Sequence, residues 1–168
     1  GNQPFLTNYF NVLRAFQLDV FSVTHSAAAY YRPILTISFM IDSWVSGAAP
    51  FMYHFSNILI HLIAINLLFI FLNKLKIKRE LSFLGALIFA VHPVLTQAVS
   101  WIPGRNDSLL LVFILSSFIF LINYLKTQTV KWPLILHFLF FFFLLFIKEF
   151  LLFFFIIIIL YFLLLFYR

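Results

Sequence analysis

The sequence predicts an all-α polytopic membrane protein, with about five transmembrane helices and an external amphipathic or re-entrant helix near the N-terminus. Three observations predict it. Of 168 residues, 64% are hydrophobic and only 10% charged, and the mean hydropathy is +1.09. The charges sit in short gaps between long apolar runs. Several runs approach the ~20 apolar residues that a helix needs to cross a hydrocarbon core ~30 Å thick.

Residues 1–50 read as an external loop carrying a juxtamembrane helix, and 51–168 as a transmembrane helical bundle. The stretch 34–45 is too short and too polar to span, so it is assigned to an interfacial or re-entrant helix. The first span is expected near 51–72. It runs into four cations within six residues, Lys74, Lys76, Lys78 and Arg79. The second, near 81–101, is expected to break at 92–93, where Pro93 removes a backbone donor. The third lies near 109–125, closed by Lys126 and Lys131, with Asp107 or Asn106 expected to cap it. The fourth, near 133–147, starts at Pro133, a favoured first-turn residue, and stops at Lys148-Glu149. The fifth lies near 151–167 and is closed by Arg168. The FLFFFFLLF and FFFIIII stretches carry no chemistry and read as lipid-facing surface.

Alternating spans divide the charges unequally. One side holds Lys74, Lys76, Lys78, Arg79, Lys126, Lys131 and Arg168 against Glu80. The other holds Arg14, Arg32, Arg105 and Lys148 against Asp19, Asp42, Asp107 and Glu149. The positive-inside rule makes the first side cytoplasmic. Residues 1–50, 92–107 and 148–149 then share the external side. The cations flank apolar runs instead of forming one exposed face, so the pI of about 9.8 does not point to nucleic acid. With no cysteine, disulfides, thiolate catalysis and zinc–sulfur sites are excluded. No cleavable signal peptide is visible. The chain starts at Gly1 within a polar segment and ends at Arg168 directly after a membrane run, so a fragment of a longer protein is expected.

Polar groups inside a membrane are costly, and mark either structural pairing or function. Arg32, between Tyr31 and Pro33, carries a donor fork that suits phosphate oxygens. The alternative is an arginine snorkelling to lipid headgroups. His54, Asn57 and His61 share one helix face, as a polar seam or a site. No metal is expected there, because seven residues separate the histidines by about 10 Å along the axis. Segment 92–107 is the richest. Pro103-Gly104 makes a turn, Arg105 binds an anion or pairs with Asp107, and His92 and Gln97 find no reason in a cap or a salt bridge. Lys148 and Glu149 interrupt more than thirty apolar residues, as a structural ion pair or as a site.

Taken in order, YRPILTISF, MYHFSNILIHL, ALIFAVHPVLTQAVSWIPGRNDSLLLVF and FIKEFLLFFFIIIILY resemble the membrane half of the transmembrane-and-TPR O-mannosyltransferase-like proteins of the GT-C glycosyltransferase superfamily. The resemblance rests on Tyr31-Arg32-Pro33, Tyr53-His54, Asn57, His61, His92-Pro93, Thr96, Gly104-Arg105, Asp107 and Lys148-Glu149. Gln97 stands where the family usually has glutamate. The resemblance implies a catalytic aspartate upstream of Gly1, so no catalytic residue is assigned within the chain. It also implies an upstream span and C-terminal TPR repeats.

It further implies transfer of a sugar from a polyprenyl-phosphate donor to a protein or glycan acceptor on the external or lumenal face. Arg32, Arg105 and Lys148 would hold the departing lipid phosphate, where fixed cations act best. His92, Asp107 and Glu149 would complete the pocket, supported by Tyr31, Gln97, His54, Asn57 and His61. No cofactor or metal is expected beyond the lipid-phosphate sugar, and the other partners are membrane lipids. The membrane is the bacterial inner membrane, or the endoplasmic reticulum if the source is eukaryotic. The alternative is a non-enzyme, either a lipid or solute transporter or an inactive assembly subunit. A transporter should present polar groups to both sides in turn, whereas here the non-basic ones cluster on one side.

Overall fold

A computed structural model describes residues 3–17, 31–127 and 130–148, and every regular element among the described residues is helical. The expected fifth span at 151–167, with Glu149, Asp19 and Arg168, lies outside them.

The N-terminal segment forms a short helix, α1 (Gln3–Thr7), and two single turns at Tyr9–Asn11 and Arg14–Phe16. Asn8 starts the first turn by accepting the Phe10 N–H through its side chain at 3.0 Å. α2 (Pro33–Ser46) has proline in its first turn and ends at Gly47, whose φ of +58° suits a residue without Cβ. It corresponds to the expected short helix at 34–45.

α3 (Pro50–Lys74) has 25 residues, about 37 Å at 1.5 Å per residue. α4 (Arg79–Val91) stops where Pro93 forces His92 into an extended conformation. The chain continues through a turn at Pro93–Leu95 into α5 (Thr96–Ser100), and the two halves meet at 52°. A further turn, Ile102–Gly104, leads into α6 (Arg105–Thr127), and α7 is Trp132–Leu144. α6 starts earlier than the predicted 109. Arg105 and Asp107 lie inside its first turn because both charges find partners there, so neither Asn106 nor Asp107 precedes the helix as its cap.

Two helices are long and apolar enough to cross a membrane, Pro50–Lys74 and Ile102–Thr127. The bent pair adds a third if counted as one span. The described residues thus hold two or three of the roughly five spans expected. α7 has 13 helical residues, about 20 Å. The predicted fourth span ends instead in single turns over 145–147, with Leu145, Phe146 and Ile147 N–H groups bonded three residues back.

Helix directions follow from cross-links at the two ends. Arg105, at the start of α6, bonds Asn57 and Tyr53 near the start of α3. Lys74, at the end of α3, bonds Asn123 near the end of α6 at 2.5 Å. α3 and α6 therefore run in parallel. α7 runs antiparallel to α6, since Lys148 returns to Asp107 and His137 meets Ser117 midway. α4 packs back along α3, with Gly85 letting Leu72 approach and His61 stacked on Phe89. α2 lies across one end of the bundle. Its Leu35 joins Leu109 of α6 and Leu144 and Ile147 of the α7 end in one buried cluster.

The pattern on α3 is the reverse of a soluble helix. Tyr53, Asn57, His61 and Ala64 are buried, while Phe51, Phe55, Ile58, Leu59, Leu62 and Ile63 are exposed. In lipid, apolar exposure costs nothing and polar groups gain by facing a neighbouring helix.

Candidate functional site

The described parts of the polar segments assigned to the external side meet at one end of the bundle. The arrangement has two levels, a buried lock and an open rim.

Arg105 forms the lock and is fully buried. Its Nε donates to Asn57 Oδ1 at 2.6 Å. Nη1 donates to the Ser38 carbonyl and to Ser38 Oγ, each at 3.2 Å. Nη2 donates to Asp42 Oδ2 at 2.5 Å and to the Tyr53 carbonyl at 2.8 Å. A guanidinium has five N–H donors, and here each has a protein acceptor. The group also sits 4.7 Å from the centre of the Phe39 ring, a cation–π distance. The other Asp42 oxygen accepts from Ser56 Oγ at 2.6 Å. α2, α3 and α6 are thereby tied through one side chain. The carboxylate paired with Arg105 is Asp42, not the Asp107 that the sequence offered.

Asn57 works in two directions. While its Oδ1 accepts from Arg105, its Nδ2 lies 3.3, 3.2 and 3.4 Å from the carbonyls of Val99, Trp101 and Ile102. These lie at the end of α5 and in the link that follows it, where backbone acceptors inside a membrane need protein donors. Gly104 closes the same link. A Cβ there would collide with the Gln97 carbonyl, coming within 2.9 Å of its carbon.

The rim is built from exposed groups. Lys148 Nζ meets Asp107 Oδ1 at 3.2 Å, with side-chain exposures of 35% and 66%. A pocket of about 240 Å³ opens beside it, lined by His61, Phe89, Leu95, Ala98, Asp107 and Leu111 among others. Its lining is apolar apart from His61, Asp107 and Ser108. Arg32 is half-buried at the start of α2, where its carbonyl accepts from Thr36 N and Oγ1 at 3.1 and 3.2 Å. Ile34 N donates to the Phe146 carbonyl at 3.5 Å. The segments carrying Arg32 and Lys148 therefore lie side by side. Tyr31 extends over the same place, its hydroxyl donating to the Phe16 carbonyl at 2.9 Å and its ring 6.4 Å from Phe146.

The chain is 39% identical over 99 residues to protein O-mannosyl-transferase TMTC1 of Mus musculus, covering 58% of this chain and 10% of the relative. It is 35% identical over 107 residues to protein O-mannosyl-transferase TMTC2 of Homo sapiens, covering 63% and 13%. It is 33% identical over 98 residues to TMTC3 of Mus musculus, covering 58% and 10%. The chain thus spans about a tenth of the curated relatives it matches. No family model and no solved structure matches it. The similarity supports a glycosyltransferase-related role.

Against that background the site residues fall into three places. Arg105, Asn57 and His61 are interior, and His54 is half-exposed on the same helix. Asp107, Lys148, Arg32 and Tyr31 occupy the rim. His92 and Gln97 are exposed on the broken span. His92 uses Nδ1 to accept the Val94 N–H at 3.3 Å, which gives it a capping reason. The pocket lining contains Asp107 but not Arg32, Arg105 or Lys148, so the three cations share one end of the bundle without sharing that pocket. Ser38, Asp42 and Ser56 were not singled out from the sequence. The signal was a carboxylate set inside ILTISFMIDSW, which requires a buried cation partner.

Proposed function

We propose that this chain is part of a membrane glycosyltransferase that moves a sugar from a polyprenyl-phosphate donor to a protein acceptor at the external or lumenal face. The observation that carries the reading is the Asp107–Lys148 pair beside the largely apolar pocket, at the end where the described polar segments meet. An isoprenoid phosphate is an apolar chain bearing an anion, and this end offers an apolar recess next to a releasable cation. An exposed ion pair contributes about 0–1 kcal/mol, so Lys148 exchanges Asp107 for phosphate at little cost. Arg32 stands close enough in the chain path to join it. Arg105 would have to break one of five bonds to do the same, so we assign it to holding α2, α3 and α6 in register.

The test uses the full-length protein in membranes with a polyprenyl-phosphate mannose donor. Losing a charge-assisted contact costs about 1.5–3 kcal/mol, so Lys148→Ala lowers donor use about 10- to 150-fold at unchanged protein level. Equal specific activity for wild type and Lys148→Ala defeats the assignment.

A further inference from the structure

The opposite end of the bundle carries a second surface that the transfer reaction does not use. We propose that it is a binding site for anionic phospholipid headgroups.

Six cations gather there, Lys74, Lys76, Lys78, Arg79, Lys126 and Lys131, against the single acid Glu80. The structure brings the two groups together. Lys74 Nζ bonds Asn123 Oδ1 at 2.5 Å, and Lys126 lies three residues beyond Asn123, on the same helix face. Both ion pairs among the described residues lie at the other end of the bundle, so none of the six has a carboxylate partner among them. The α3–α4 turn is held by its own backbone. Leu75, Lys76 and Ile77 N–H groups bond Phe71, Asn73 and Leu72 carbonyls, with Lys76 at φ +63°. Residues 75–80, in and just after that turn, are all exposed.

The apolar residues between the cations identify the partner. Lys74, Lys76 and Lys78 alternate with Leu75 and Ile77, which are 49% and 38% exposed, and Trp132 beside Lys131 is 71% exposed. A nucleic acid or an acidic protein would leave those groups in water. A membrane surface takes the leucine, isoleucine and tryptophan at the acyl boundary and meets the ammonium groups with phosphates. The ends of two spanning helices hold this surface at that depth.

The test follows lipid retention by the purified chain, using native mass spectrometry of complexes drawn from equal mixtures of phosphatidylserine and phosphatidylcholine. Each cation near an anionic surface strengthens attachment about five-fold, or about 1 kcal/mol at 1.4 kcal/mol per tenfold. Wild type should retain phosphatidylserine preferentially. The variant combining Lys76→Gln, Lys78→Gln and Arg79→Gln should lose that preference by at least about ten-fold, while Arg14→Gln, at the far end, should keep it. Should the triple variant misfold, the wild type still decides the matter, because its preference must fall steeply as salt rises. Equal retention of the two lipids by wild type, or a preference indifferent to salt, overturns the proposal. Displacement of the lipid by an equal concentration of inorganic phosphate also overturns it, leaving a simple anion site.

Discussion

Arg105 and Asp42 should be energetically coupled, and the coupling should be among the largest in the molecule. Removing either partner leaves a buried charge without compensation, which costs about 3–5 kcal/mol. Arg105→Met keeps much of the stem volume but deletes all five donors, leaving Asp42 Oδ2, Asn57 Oδ1 and the Ser38 and Tyr53 carbonyls with one bond fewer each. Against a total stability of about 5–15 kcal/mol, this is roughly a fifth of the whole or more. Asp42→Asn should cost a similar amount, because the guanidinium stays buried. The double variant should cost about 2 kcal/mol less than the sum, since the second substitution removes a charge already stranded by the first. Arg105→Lys should fare little better than Arg105→Met, as a single ammonium cannot reach acceptors set for a planar fork.

The assay is unfolding of the purified protein in mixed micelles by added sodium dodecyl sulfate, followed by circular dichroism. Asp107→Asn supplies the contrast. Its partner Lys148 is partly exposed, so the loss should stay below about 1 kcal/mol. If the Arg105 and Asp42 effects simply add within about 0.5 kcal/mol, the lock does not exist. If Asp107→Asn proves as damaging as Asp42→Asn, the pairing of Arg105 is wrong.

Gly104→Ala should destabilise by about 1–3 kcal/mol, since its methyl would push against backbone at Gln97; wild-type stability in the same micelle titration refutes the close approach. Topology is testable because the chain lacks cysteine. A cysteine at Ser100 should react with a membrane-impermeant thiol reagent applied to the external face and one at Lys76 should not, and the reverse pattern would invert the orientation.

Much of the architecture was legible because charge placement in a membrane protein is coarse and strong. Span alternation put 1–50, 92–107 and 148–149 on one side, and the described parts of those segments meet at one end; the break at His92-Pro93 followed from proline chemistry. The inward face of α3 was readable from the spacing of Asn57 and His61. The partner of Arg105 was not. Asp107 stands two residues away, and Asp42 sixty-three. Local spacing favours the near carboxylate, yet residues two apart on a helix point to different faces. Asp107 therefore turns to the rim while Arg105 turns inward. The extent of α7 was misjudged for a different reason. An apolar run has no internal signal for where a helix yields to turns, and the packing of Leu144 and Ile147 under Leu35 decides that point.

The division between buried and exposed charge bears on how such a site keeps its shape. Polar groups at membrane depth have no water to fall back on, so each must be satisfied by protein or by ligand. Here the arginine with the largest donor set is satisfied wholly by protein, and in return it fixes α2 across the ends of α3 and α6. Asn57 extends that tie to the link after α5. The weaker pair at the same end, Asp107 with Lys148, is partly in solvent and can change partners without breaking any bond of the lock. That separation explains why the most buried arginine is the poorer candidate for direct contact, although the sequence places it in the richest polar segment. It also locates the sensitivity of the rim to distant change: substitutions at Ser38, Asp42 or Asn57 would shift it by releasing α2, without touching Asp107 or Lys148.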